Sequence, residues 1–384
     1  MLAIEGAKPT VTGVLRPYNS IGPEEVAAAV ATIKRGPLSG FMGGERQGGL
    51  MVQALEQQMC EMFGAKYAVA CNSATSGLLI ACMATGVGDD SRVAVPCLTM
   101  SATAAAPRFL GARIGFSDVE AKTFNFAGFV PGKICGPLIA TNLFGHPAFL
   151  HDYRETADIM KTYLIEDNAQ GWMAKENGKY AGTIGHIGVF SFNVHKHIQC
   201  GEGGVCLTDD PGLAERMSHA RNHGELAGYP VGLNLRMTEI EAAIALSQLN
   251  KVKGIVEGRR ELAEYLTHCV VNYPGLIPPL VREGCVHAYY MWALTIEKER
   301  DWFVDAMIAE GVPLRKGYVE PLYRLPAFAK YKAHCPTAEW LHDTALATFE
   351  VCAYAPSAKH KREIRDAFAK VGEAYVKRVR EKAA

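Results

Sequence analysis

Tyr67-Ala68-Val69-Ala70-Cys71-Asn72-Ser73-Ala74-Thr75-Ser76-Gly77-Leu78 is the stretch that decides the fold. Its first five residues are short, mostly apolar and followed by a polar turn, which reads as a buried strand; the apolar run from Leu78 to Thr85 then reads as a helix. The same unit recurs downstream. Strand-like Val93 to Pro96 precedes a helical Ser101 to Leu110, and Ala112 to Phe116 and Leu138 to Thr141 precede a helical His151 to Met160 and strand-like Tyr163 to Ile165. Short apolar strands alternating with helices predict α/β crossovers and a mainly parallel, buried sheet.

Working outward, Pro23, Glu24 and Glu25 open a helix over Gly22 to Lys34, and a glycine-rich loop, Gly40 to Gly49, separates it from a helix over Met51 to Phe63. Beyond the repeating units, Gly188 to Phe192 and Gly203 to Thr208 read as buried strands around a polar stretch, Asn193 to Glu202. Helices follow over Pro211 to Arg221, Thr238 to Leu249 and Gly254 to Val271. A second region has a strand Tyr290 to Ile296 and helices over Asp301 to Glu310, Thr337 to Thr348 and His360 to Arg380. The length of 384 residues favours two domains. We expect a large one over residues 1–254 and a smaller α+β one over 255–384.

Forty basic side chains balance forty acidic ones, which argues against nucleic acid or an anionic membrane as the main partner, since either calls for an excess of Lys and Arg. The opening residues lack the pattern of a secretory signal and no apolar run has the length of a membrane span, so the expected location is cytoplasmic. Eleven cysteines without a CxxC pair read as reduced, mostly buried small hydrophobes.

Three segments carry chemistry. Lys196 lies in the polar stretch between two buried strands, flanked by His195 and His197 that would lower its pKa, as imine chemistry with an aldehyde cofactor requires. The rival is a surface lysine, or a zinc site built from His195, His197 and Cys200. Glu166-Asp167-Asn168-Ala169-Gln170 follows a buried parallel strand, where open α/β sheets bind ligands. Asp167 there would either keep a pyridinium nitrogen protonated or merely cap a helix. Asn72 to Gly77 offers hydroxyls and backbone N–H groups to a phosphate at a helix N-terminus, or is only a well-capped helix; it has neither a Walker GK[ST] nor a dinucleotide GxGxxG.

In this order and at these spacings the segments resemble the DegT/DnrJ/EryC1/StrS sugar aminotransferases, which are fold-type-I pyridoxal-phosphate enzymes. Asn72 to Ser76 resembles that family's phosphate turn, Asp118-Val119-Glu120 with Thr123-Phe124-Asn125 its "DVD..T.N" segment, and Glu166 to Gln170 its "EDAAQ" block. Ser191-Phe192, Lys196 and Gly201-Glu202-Gly203-Gly204 resemble "SF....K....GEGG", and Asn234-Leu235-Arg236-Met237 with Glu239 opens a segment similar to "N.RM.E".

The resemblance implies that Lys196 bonds the cofactor's aldehyde and then moves protons, and that Asp167 pairs with the pyridine nitrogen. Gln170 would contact the ring hydroxyl, and Ser73, Ala74, Thr75 and Ser191 would bind the phosphate. Asn234 would reach the cofactor of the neighbouring subunit, making a homodimer the working unit. Tyr318 is implied near the substrate; Arg236, Lys316, His223 and Arg315 are candidates for pairing with a diphosphate, the alternative for each being a surface or interface charge. Met100 stands where the family commonly has an aromatic residue, and we expect its thioether over the cofactor ring. The implied reaction passes an amino group from an amino acid, usually glutamate, through pyridoxamine phosphate to a keto-sugar, commonly a nucleotide-linked keto-deoxyhexose. Some relatives carry histidine in place of the lysine and deoxygenate the sugar instead; here the residue five after Ser191 is Lys196, which favours transamination. A non-catalytic regulator on the same fold is the alternative from another class, and the intact Lys196, Asp167 and Gln170 set speaks against it.

Overall fold

The computed structural model describes residues 1–41, 47–128, 134–224 and 231–382. Residues 42–46 of the glycine-rich loop expected over Gly40 to Gly49 lie outside them.

Seven strands form the large sheet: β1 (Tyr67–Cys71), β2 (Arg92–Pro96), β3 (Arg113–Ser117), β4 (Leu138–Thr141), β5 (Leu164–Asp167) and, after the two short strands β6 (Lys175–Glu176) and β7 (Lys179–Tyr180), β8 (Ile187–Ser191) and β9 (Gly204–Thr208). Their order is β1-β9-β8-β5-β4-β2-β3, and only β9 runs against the rest. The sheet is therefore mainly parallel, as the alternation of strands and helices predicts.

Alternation along each strand explains why both faces are covered. Val69, Val93, Val95, Ile139, Ile165 and Val189 pack on one face with α3 (Ala74–Ala84), α4 (Ala102–Phe109) and α6 (Pro211–Arg221). Ala70, Ala94, Ala140, Leu164, Phe190 and Val205 pack on the other with α2 (Leu50–Phe63), α5 (Leu150–Ile159) and α7 (Glu239–Leu249). Leu55 and Ile80 are fully buried on opposite faces, and truncating either to Ala costs about 2–5 kcal/mol by the usual cavity arithmetic. The remaining N-terminal helix, α1 (Pro23–Arg35), packs on α7.

Helix α8 (Val252–Val270) leads to a second sheet of order β10-β12-β14-β13, built from β10 (Leu276–Ile277), β12 (Trp292–Ile296), β13 (Arg315–Lys316) and β14 (Leu346–Phe349); β11 (Cys285–Val286) pairs instead with β6. A third core joins this sheet to α8, α9 (Arg300–Ala309) and α11 (Ala358–Glu381), and takes in Leu2, Val11 and Leu15 from the N-terminus. One expectation fails here. The helix read over Thr337 to Thr348 stops early: α10 (Pro336–Trp340) and one further turn end at Ala345, and Leu346–Phe349 becomes strand β14 between β12 and β13. Pairing on both sides of a fully buried four-residue segment outweighs the helix preference of its Leu346 and Ala347.

No helix of the described residues is long and apolar enough to cross a membrane. All eleven cysteines are unbridged, with Cys71, Cys82, Cys97 and Cys206 among the buried ones.

Candidate active site

The parallel strands deliver their carboxyl ends to one cavity of about 610 Å³, the place where open α/β sheets bind ligands. Ser73, Ala74 and Thr75 enter it after β1, Thr99 and Met100 after β2, Asp167 and Gln170 at and after β5, and Ser191 and Lys196 at and after β8. The second sheet closes it with Tyr290, Arg315, Tyr318, Thr348 and Glu350.

At the end of β1, Ser73 is extended and caps α3, its Oγ accepting the Ser76 N–H at 3.1 Å. Ser76 in turn donates its hydroxyl to Asn72 Oδ1 at 2.6 Å. The Ala74 and Thr75 N–H groups stand in the first helical turn, where no intrahelical carbonyl exists for them, and the helix dipole adds positive potential. Gly204 makes this packing feasible: a Cβ on it would come within 2.6 Å of the Ser73 carbonyl carbon and 2.7 Å of the Ala74 nitrogen.

The two neighbouring carboxylates of β5 part company because strand side chains alternate. Glu166 faces inward, fully buried, and accepts backbone N–H groups of Gly182, Ile184 and Gly185, a structural role. Asp167 faces the cavity, 5% exposed. Its Oδ2 accepts the Thr103 hydroxyl at 2.7 Å and its Oδ1 the Ala169 N–H at 3.3 Å. Burial pushes its pKa above the ordinary carboxylate value, while the Thr103 bond, the Ala169 bond and the Lys196 charge pull the other way.

Lys196 holds its Nζ 4.5 Å from the centroid of the Tyr290 ring. Burial lowers its pKa, opposed by the Asp167 charge. The expectation that flanking histidines lower it is corrected: neither is among the causes. His195 is exposed at the cavity mouth. His197 is buried, with Nε2 3.0 Å from the Ala288 carbonyl oxygen, and burial lowers its pKa to about 3, so it is neutral. The zinc alternative also fails among the described residues: His195, His197 and Cys200 do not converge, and the one three-ligand cluster is Cys97, Asp118 and Cys335.

Gln170 is held by both ends of its amide. Oε1 accepts the Phe144 N–H at 2.7 Å, and Nε2 donates to the Tyr318 hydroxyl at 3.0 Å, a contact that spans the two sheets. Ser191 is buried, and its carbonyl accepts the Trp172 indole N–H at 2.9 Å. Met100, 53% exposed, forms part of the cavity wall.

Other expected residues stand elsewhere. Asn234 and Arg236 line a separate pocket with Ser39, Asn72 and Glu241, where Arg236 Nε donates to Asn234 Oδ1 at 2.9 Å. Lys316 is not in the cavity wall: it neighbours Arg315 on β13, so it points to the opposite face, and its Nζ lies 2.8 Å from Asp305. His223 also lies outside, at a positive φ of 62° in the loop after α6.

The sequence reading overlooked Thr103, Tyr290 and Glu350. Thr99 precedes α4 and Thr103 stands in its first turn, and the chain between them brings the two hydroxyls to 3.1 Å. Tyr290 and Glu350 arrive from the distant second sheet, where nothing local marks them.

Residues 41–348 match the model of the DegT/DnrJ/EryC1/StrS aminotransferase family. A GDP-perosamine synthase of Escherichia coli O157:H7 is 30% identical over 309 residues, covering 76% of this chain and 82% of the relative. A UDP-N-acetyl-3-dehydro-alpha-D-glucosamine 3-aminotransferase of Acidithiobacillus ferrooxidans is 30% identical over 305 residues, 77% of this chain and 82% of its own. Among solved structures, DesI with its TDP-sugar product superposes with a TM-score of 0.84 at 24% identity, over 100% of this chain and 98% of that one, a likeness of fold. The chain belongs to the DegT/DnrJ/EryC1/StrS aminotransferase family.

Proposed function

We propose that the protein holds pyridoxal phosphate in the cavity and moves an amino group from an amino acid, L-glutamate by preference, to a nucleotide-linked keto-deoxyhexose. The observation that carries the reading is the convergence of the Lys196 amine, the buried Asp167 carboxylate and the N-terminal turn of α3 on one cavity. The residues fit the cofactor: first-turn amides and hydroxyls suit a phosphate, a buried acceptor suits a ring nitrogen, and Gly204 leaves the turn no room for a Cβ. When bound, pyridoxal phosphate supplies an aldehyde and an electron-accepting ring.

Ser73, Ala74, Thr75 and Ser191 would hold the phosphate. Asp167, held in place by Thr103, would keep a proton on the ring nitrogen, and Gln170, bonded to Tyr318, would contact the ring hydroxyl. Met100, in the cavity wall, would supply a thioether to a ring face. Lys196 Nζ, whose pKa burial lowers, would take the proton from the donor's α-carbon. Histidine-based deoxygenation is disfavoured because the Lys196 amine is the buried basic group that acts on Asp167, while His195 is exposed at the cavity mouth and His197 is tied to the Ala288 carbonyl.

The homodimer also belongs to this proposal. Asn234 does not line its own chain's cavity, as suits a residue serving a neighbour, and Val26, Val30 and Ile33 leave an exposed apolar stripe on α1. The reading further includes a division into domains 1–254 and 255–384 and a cytoplasmic location. The test is a coupled one. With pyridoxal phosphate the protein should show a visible band that glutamate bleaches, and a panel of nucleotide-linked keto-sugars should restore it with release of an amino sugar. A band insensitive to every amino acid would reject transamination.

A further inference from the structure

An aminotransferase cavity must take two unlike substrates in turn. The donor amino acid carries a carboxylate on the carbon that bears its nitrogen, so an anion arrives beside the reacting amine. The acceptor brings a sugar ring whose hydroxyls are neutral.

Among the described residues of the cavity wall, Lys196, Arg315 and the exposed His195 are the basic groups. Lys196 is committed to proton transfer. Arg315, on β13, already holds a carboxylate: its Nη1 lies 2.6 Å from Glu350 Oε1, just beyond the end of the neighbouring strand β14. The guanidinium is 66% exposed and Glu350 25% exposed, so the pair faces the opening and Glu350 has solvent to move into. Both charges act on the Tyr290 hydroxyl, and it is the ring of Tyr290 that lies 4.5 Å from the Lys196 amine. The fork therefore stands on the wall of the same cavity as the reacting nitrogen.

We propose that Arg315 is the carboxylate-binding residue for the amino donor, and that Glu350 is its resident counter-ion, displaced when the donor's carboxylate arrives and restored when the keto acid leaves. This rests on the aminotransferase reading above. The planar guanidinium matches a carboxylate in two parallel hydrogen bonds, and one carboxylate replaces another without a net change of charge at the fork. A nucleotide diphosphate is a poorer match, because its extra charge would face Glu350. With Glu350 back in place the Arg315 charge is paired again, and the wall presents hydrogen-bond acceptors to sugar hydroxyls.

The test uses the cofactor-loaded protein and glutarate, a dicarboxylate with no amine to transfer, with uridine diphosphate as the competing probe, both by calorimetric titration. Arg315→Gln should weaken glutarate binding roughly ten- to a hundredfold, the loss of a charge-assisted hydrogen-bonded pair, and leave uridine diphosphate binding unchanged. Glu350→Gln should tighten glutarate, because the competing anion is gone. Steady-state kinetics should show a raised KM for glutamate and an unchanged KM for the keto-sugar in Arg315→Gln. Four results would each overturn the assignment: no glutarate binding by the parent protein, equal glutarate binding by parent and Arg315→Gln, an equal loss of uridine diphosphate binding, or weaker glutarate binding by Glu350→Gln. Unchanged glutarate binding in Arg315→Gln alongside amination of a keto-sugar would remove the carboxylate site alone. Arginine-dependent glutarate binding in a protein that aminates no keto-sugar would remove the acceptor reading alone.

Discussion

The Thr103 hydroxyl donates to Asp167 Oδ2 at 2.7 Å, tying the first turn of α4 to the end of β5. It heads a buried chain of hydroxyls, since Thr99 Oγ1 lies 3.1 Å from both Thr103 Oγ1 and Thr141 Oγ1. Thr103→Val removes a donor from a buried carboxylate, a loss of about 1–3 kcal/mol. Asp167 titrates above its ordinary value in the fold because it is buried, and losing Thr103 raises it further. The penalty is present while Asp167 is ionised and fades as pH falls through its folded pKa. Urea unfolding of the cofactor-free protein at neutral and acidic pH checks both size and direction.

Tyr318→Phe leaves the Gln170 Nε2 donor without its 3.0 Å acceptor. A fall in kcat/KM of roughly ten- to a hundredfold is expected from an unsatisfied buried amide beside the reacting ring. Burial pushes the Tyr318 hydroxyl up to about 12, so it stays protonated and no inflection near neutral pH belongs to it. A pH–rate profile that loses a limb in the Phe variant would show that the hydroxyl titrates after all.

Gly204→Ala places a methyl 2.6 Å from the Ser73 carbonyl carbon, where the backbone must yield. Overpacking of this kind costs about 1–3 kcal/mol, and here it falls on the turn assigned to the phosphate. Affinity for pyridoxal phosphate should drop about tenfold or more, read by titration of the cofactor's absorbance. Free phosphate should bind more weakly in the same variant.

Lys196→Met tests the burial of the amine without the cofactor. Because the folded pKa of Lys196 lies below its ordinary value, the unfolded chain binds the proton more tightly, and stability rises with pH between the two pKa values. The Met variant should therefore be the more stable protein at neutral pH, with the gap closing as pH climbs toward that of an ordinary lysine. Thermal melts of both cofactor-free proteins across that range measure it.

The large sheet was legible because each of its strands is a short apolar run between turn signals, and Leu138–Thr141 and Tyr67–Cys71 stand where the pattern puts them. Of the second sheet only β12 was legible, in the strand read over Tyr290 to Ile296. Leu346–Phe349 lies in an alanine-bearing stretch whose strand character comes wholly from its partners β12 and β13. Within the site, strand alternation separates pairs that adjacency in sequence joins: Asp167 from Glu166, and Arg315 from Lys316. Segments near Ser73, Asp167 and Lys196 announced themselves through unusual polar residues at strand ends. Tyr290 and Glu350 acquire their place only when the second sheet folds over the first.

The central claim is that Lys196 is the residue that engages the cofactor. Borohydride treatment of the protein loaded with pyridoxal phosphate, followed by proteolysis and mass mapping of the adduct, tests it most directly. The adduct is predicted on Lys196, absent when glutamate is added before the reductant, and absent in Lys196→Met. An adduct on another lysine, or the same yield of adduct in Lys196→Met, would contradict the account.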